Sequence, residues 1–144
     1  MSLILKRLVI FLIYISPLSY HALSDERLRI DSDNLTIKKD DSSASFTGSV
    51  EASFNDYKLT TSKLTILYGT INGKKDIVKI VIPSKLKLIK PCSEEIAIAD
   101  RGIFDNKTKK LTLTGNVMLQ QKDNILATDK LVYSGNFKAI NHKK

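Results

Sequence analysis

Histidine and cysteine are nearly absent from this chain, and their scarcity removes most catalytic chemistry before any fold is considered. Of the two histidines, His21 lies in the N-terminal leader and His142 in the C-terminal tail, so the body between them has none. There is also no G-x-S-x-G and no Cys–His pair, so the groups used in general acid–base and nucleophilic catalysis are missing. No catalytic residue is assigned, and the chain reads as a non-enzyme. Asp100 with Asp129, or Glu94-Glu95, are carboxylate pairs in sequence, but each lies at a strand entrance or turn, where solvated carboxylates are ordinary. The single cysteine, Cys92, permits no intramolecular disulfide. No cluster has metal-ligand spacing, so neither a metal nor any other cofactor is expected. A P-loop is missing too, which leaves any energy for transport to another protein. Finally, no window of the body repeats its apolar residues at 3.6, which argues against helices.

What is present begins with a leader. Lys6-Arg7 precede the apolar run Leu8 to Ile15, Ser16-Pro17 close it, and Ala22-Leu23-Ser24 supplies small residues at a cleavage site. Residues 1–24 therefore read as a signal peptide, removed to leave a single domain over 25–144. Eight to eleven apolar residues fall short of the roughly 20 that cross a bilayer, which disfavours the alternative of a retained anchor. Without Lys6 and Arg7 the remaining chain keeps 21 basic against 15 acidic side chains, a formal charge of +6. An exported basic protein suits an anionic partner such as lipid phosphate, and rarely meets nucleic acid.

The body alternates. Ile30, Leu35 and Ile37 are followed by the turn Lys38 to Ser43. Phe46, Gly48, Val50, Ala52 and Phe54 then share one face against Thr47, Ser49, Glu51 and Ser53. Leu64 and Ile66 resume the pattern, Asn72-Gly73 supplies a hairpin turn, and Ile80 and Ile82 run up to Pro83. Leu86 and Leu88 come next, then Ile98 and Phe104. Leu111, Leu113, Val117 and Leu119 form the cleanest alternating strand, and Leu131 and Tyr133 end the series. These residues are expected to line one apolar interior. Alternation alone says which face is buried and not against what, so a dry sandwich core fits it as well as a ligand trough.

Most of the stretch Leu111 to Tyr133 has been written once before. Moved back 67 positions it falls without a gap on Ala44 to Ile66, matching Thr114, Gly115, Val117, Asp123, Leu126, Thr128, Lys130 and Leu131 to identical residues. Self-similarity at a fixed offset means that one supersecondary unit, here a hairpin, is used repeatedly. A smaller echo recurs four times, at Ser32–Leu35, Thr61–Leu64, Ala99–Gly102 and Thr128–Leu131, each expected to open a strand.

With F-T-G-S-V at Phe46, L-T-G-N-V-x-L-Q-Q at Leu113, T-D-K-L-V-Y at Thr128 and R-I-D-S-D at Arg29, the chain resembles the OstA-like family of lipopolysaccharide transport proteins over essentially all of 25–144. The resemblance implies an all-β fold, an incompletely closed antiparallel β-jelly roll bent into a V. It also implies a periplasmic protein that shields the acyl chains of lipopolysaccharide and bridges the inner and outer membranes for outer membrane assembly. The partners implied are lipopolysaccharide, further copies stacked head to tail, and LptC-like inner-membrane and LptD-like outer-membrane OstA domains. An inner-membrane-anchored LptC-like component, another exported binding module, and an adhesin-like sandwich with a dry core remain the alternatives. The free edges are expected at Leu28 to Ile37 and at Leu131 to Ile140.

Overall fold

The computed structural model describes residues 28–54 and 56–134. The leader and the Phe137–Ile140 segment lie outside them. Ten strands follow one another: β1 (Arg29–Asp31), β2 (Asn34–Lys38), β3 (Ser43–Phe54), β4 (Tyr57–Ile71), β5 (Lys74–Ile82), β6 (Leu86–Lys90), β7 (Glu95–Ala99), β8 (Arg101–Asp105), β9 (Lys110–Gln121) and β10 (Asn124–Ser134). The one helical element among the described residues is a 3₁₀ turn, Pro91–Ser93. All pairings are antiparallel.

The repeat is larger in space than in sequence. Adding 67 to β2 gives Arg101–Asp105, which is β8, and adding it to β3 gives Lys110–Gln121, which is β9. β4 and β10 begin 67 apart, and the β1 pair Ile30↔Ala52 becomes the β7 pair Ala97↔Leu119. The chain is thus a four-strand unit, the two inserted strands β5 and β6, and the four-strand unit again.

Each unit is bent at its middle. Gly48 and Ser49 have φ of 83° and 45°, and Gly115 and Asn116 have 86° and 46°. Two successive residues with positive φ form a bulge that breaks the ladder and turns the strand. At the same level β4 changes its inward residues from Tyr57 and Leu59 to Leu64 and Ile66, across a register shift. β10 does likewise between Thr128 and Lys130. The shorter strands stop there: β1 gives way to β2, β5 to β6, and β7 to β8. The result is a crease dividing the sheet into two walls. Wall A runs β2–β3–β4–β5–β8–β9–β10 and wall B runs β1–β3–β4–β6–β7–β9–β10, with the long strands crossing from one to the other.

Two copies of the four-residue echo open strands, at Asp33 and Asp100. The other two, at Thr61–Leu64 and Thr128–Leu131, lie inside β4 and β10. What they share is the crease. The backbone N–H of Asp33 donates to the Gly48 carbonyl at 2.8 Å, and that of Asp100 to Gly115 at 2.9 Å. At the β5–β6 joint Ser84 does comparable work: its Oγ accepts the Lys63 N–H at 3.1 Å and lies 2.7 Å from Thr61 Oγ1.

An apolar interior and its rim

The crease brings the inner faces of the two walls against each other, because directly paired residues share a face. One row across wall A reads Ile37, Ala44, Ile66, Ile80, Phe104, Leu111 and Tyr133. A second contains Leu35, Phe46, Leu64, Gly102, Leu113 and Leu131. Wall B contributes Ile30, Val50, Leu88, Val117 and Leu119, among others. Gly102 shows how closely the walls meet: a Cβ there would lie 2.9 Å from Leu86 on the opposite wall. The interior is packed, and the cavity between wall B residues such as Ile30, Leu86 and Leu88 and wall A residues such as Leu64, Phe104 and Leu113 is only about 30 Å³. Leu64, Leu86, Leu113, Val50 and Val117 are fully buried. Each contributes roughly 1.5–3 kcal/mol by leaving water.

Of the residues expected inside, most are there. Ile66, Ile80, Ile82, Leu88, Phe104, Leu111 and Leu119 are buried, and Ile30, Phe46, Leu131 and Tyr133 pack on the core from its margin. Three expectations need correction. Ile98 faces outward, paired with Lys87 and Met118, while its small neighbours Ala97 and Ala99 fill the interior. The repeat carried the signal, since 67 residues earlier Ile98 becomes Asp31, a charged residue on the solvent face. Leu35 and Ile37 lie on the inner face but are 53% and 65% exposed. Their counterparts Gly102 and Phe104 are buried because β5 flanks β8, whereas β2 ends its wall among the described residues. At the far end the free edge among the described residues is the whole of β10, beginning at Asn124 rather than Leu131, and there Leu126 is exposed on the inner face.

The walls end in rows of turns of unlike charge. The wall A turns, over 38–42, 71–76 and 105–110, carry seven lysines against four aspartates. The wall B turns, over 54–58, 90–95 and 121–124, carry three lysines against four carboxylates. On the wall B rim Phe54 stacks on Tyr57 with ring centres 5.6 Å apart, and Lys90 Nζ lies 5.3 Å from the centre of the Tyr57 ring. Tyr133 reaches this group from wall A. Burial, then the nearby Glu95 carboxylate and Tyr57, raise its phenol above the ordinary value. Glu95 is itself held by Gln121 Nε2 at 2.7 Å. On the wall A rim a cleft of about 660 Å³ opens over Ile37, Ala44, Tyr68 and Ile77.

No group of three or more histidine, cysteine, aspartate or glutamate side chains poised to hold a metal occurs among the described residues. The chemistry available is burial of apolar groups beside charged rims.

Comparison with known proteins agrees with this geometry. Residues 29–138 match the family model described as LptA/(LptD N-terminal domain) LPS transport protein. An uncharacterized protein of Rickettsia prowazekii (strain Madrid E), RP507, is 36% identical over 130 residues, covering 88% of this chain and 90% of that protein. In fold, the chain is similar to LptH, described as the LptA-homologous periplasmic component of the conserved lipopolysaccharide transport device of Pseudomonas aeruginosa. The TM-score is 0.60 at 15% identity, over 76% of each chain. The bent, open-edged antiparallel sheet, its apolar inner face and the family match together place this chain in the LptA/LptD N-terminal-domain family of lipopolysaccharide transport proteins.

Proposed function

We propose that the protein is a non-enzymatic periplasmic carrier that holds the acyl chains of lipopolysaccharide between its two walls and passes them along a bridge from inner to outer membrane. The observation that carries this is an apolar inner face that runs the length of the sheet and emerges at both free edges, at Leu35 and Ile37 on β2 and at Leu126 on β10. Each acyl methylene kept from water is worth about 0.8 kcal/mol, so a lipid with several chains needs such a face throughout its passage. The walls touch at rest, and acyl chains enter by parting them. That exchange replaces side-chain contacts with acyl contacts of the same apolar kind.

Among the described residues the edges β1/β2 and β10 have no further strand beside them, and such edges offer backbone groups to another strand. Joining β10 of one copy to β1/β2 of the next is heterologous and open-ended, and it makes the inner faces continuous. The terminal edges of such a row suit LptC-like and LptD-like domains of the same fold. Purified protein extracted with organic solvent is expected to release lipopolysaccharide, identified by mass spectrometry. Light scattering is expected to show mass rising with concentration, and Val132→Pro in β10 to abolish the rise while weakened lipid binding survives. Extracts free of lipopolysaccharide together with no binding of added lipid would refute the carrier. A fixed dimer, or unimpaired association of Val132→Pro, would refute the bridge.

A further inference from the structure

The cleft at the wall A rim has a mixed character found nowhere else among the described cavities. Its floor is the outermost part of the apolar inner face. Ile37 pairs with Ala44 on β3, and Tyr68 pairs with Ile77, continuing the inward series of β4 beyond Leu64 and Ile66. Its rim carries Lys38, Lys39 and Lys75, all exposed. Among the described residues none of the three has a carboxylate partner, the one ion pair there being Arg29–Asp31. Asp76, the carboxylate that lines the cleft, is turned to its own backbone and accepts the Ile77 N–H at 2.7 Å. The cleft is shaped rather than incidental, for the Tyr68 N–H donates to the Ser42 carbonyl at 2.9 Å and ties the β2–β3 turn over β4.

We propose that this cleft is a headgroup subsite, in which Lys38, Lys39 and Lys75 bind a phosphate of an acylated glycolipid whose chains continue inward over Ile37, Tyr68 and Ile77. The inference rests on the carrier reading above and adds an orientation to it. A phosphate at the lysine-rich rim is favoured over one at the wall B rim, where carboxylates outnumber lysines, so the lipid lies with its headgroup on wall A. The apolar floor argues for a lipid phosphate over free phosphate, which would gain nothing from Ile37 or Tyr68. Lysine serves as a compact point charge that follows a moving phosphate without fixed two-point geometry, which suits a cargo that is handed on.

The test compares full-length protein with the Lys38→Gln/Lys39→Gln/Lys75→Gln variant, using purified lipopolysaccharide and its enzymatically dephosphorylated form. The triple variant is expected to bind phosphorylated lipid about tenfold or more weakly and with a reduced salt dependence. Binding of dephosphorylated lipid is expected to be unchanged, which also shows that the variant folds. Lys58→Gln/Lys87→Gln/Lys122→Gln, the same loss of charge elsewhere, is expected to bind both lipids as wild type does. If wild type binds lipopolysaccharide and the first variant binds it equally well, or both triple variants weaken it equally, the subsite is refuted while the carrier stands. If wild type binds neither lipid, the carrier reading itself falls. Displacement of bound lipid by low-millimolar inorganic phosphate would assign the cleft to the free ion and overturn the proposal.

Discussion

Asp100 occupies the space a side chain at position 115 would need. A Cβ on Gly115 would come 2.7 Å from the Asp100 Cβ, and the Asp100 N–H donates to the Gly115 carbonyl at 2.9 Å. Asp33 and Gly48 repeat the arrangement 67 residues earlier, with a Cβ on Gly48 falling 2.6 Å from Asp33 Oδ2. In the second unit Asn116 Nδ2 also donates to Asp100 Oδ2 at 2.9 Å. The T-G-x-V signature is thus the crease itself, and it needs glycine both for its positive φ and for the aspartate packed upon it.

Gly115→Ala is therefore expected to destabilise the protein by about 1–3 kcal/mol, from the left-handed backbone and the displaced aspartate together. Adding Asp100→Gly should recover the steric part and leave the backbone part. Denaturant unfolding of the single and double variants checks this. Strict additivity of the two changes would contradict the packed pair.

The same crease explains what was legible in the sequence. Alternation identified the strands because one face is buried and the other wet. The inward set of β9, Leu111 through Leu119, stands as expected, because Gly115 and Asn116 bend the strand without exchanging its faces. In β4 and β10 the faces do exchange at the crease, which period-2 reading does not follow. β7 departs from the period-2 expectation for another reason. In Glu95–Ala99 both faces are apolar, and the larger side chains are the outward ones. The exposure of Leu35 and Ile37 depends on which strand lies beyond β2, a fact of topology rather than of local pattern.

Ala99 and Ile98 test the corrected face. Ala99 is 0% exposed, so Ala99→Leu forces extra volume into a filled interior and is expected to cost about 1–3 kcal/mol. Ile98→Thr, on the outer face, should change stability by less than about 1 kcal/mol. Thermal unfolding of the two variants distinguishes them, and the reverse order would restore Ile98 to the interior.

Tyr133 makes stability depend on alkaline pH. Its pKa in the folded state lies above the ordinary 10.0 of an unfolded tyrosine, so folding favours the neutral phenol. That contribution is complete below about pH 10 and is lost as pH rises from there through the raised value. The melting temperature of wild type relative to Tyr133→Phe is expected to hold steady from about pH 8 to 9.5 and then to fall. A difference that stays flat to about pH 11 would show that Tyr133 is not held as described.

Ile125 and Leu126 provide the most direct test of the carrier. They are neighbours on β10 and similarly exposed, 63% and 54%, but Leu126 pairs with buried Leu119 and Ile125 with exposed Gln120. They therefore differ chiefly in the face they present. With a photo-crosslinking residue at either position in dilute protein loaded with lipopolysaccharide, position 126 is expected to capture lipid and position 125 to capture little or none. Equal capture at the two positions, or greater capture at 125, would contradict an inner face that carries the acyl chains.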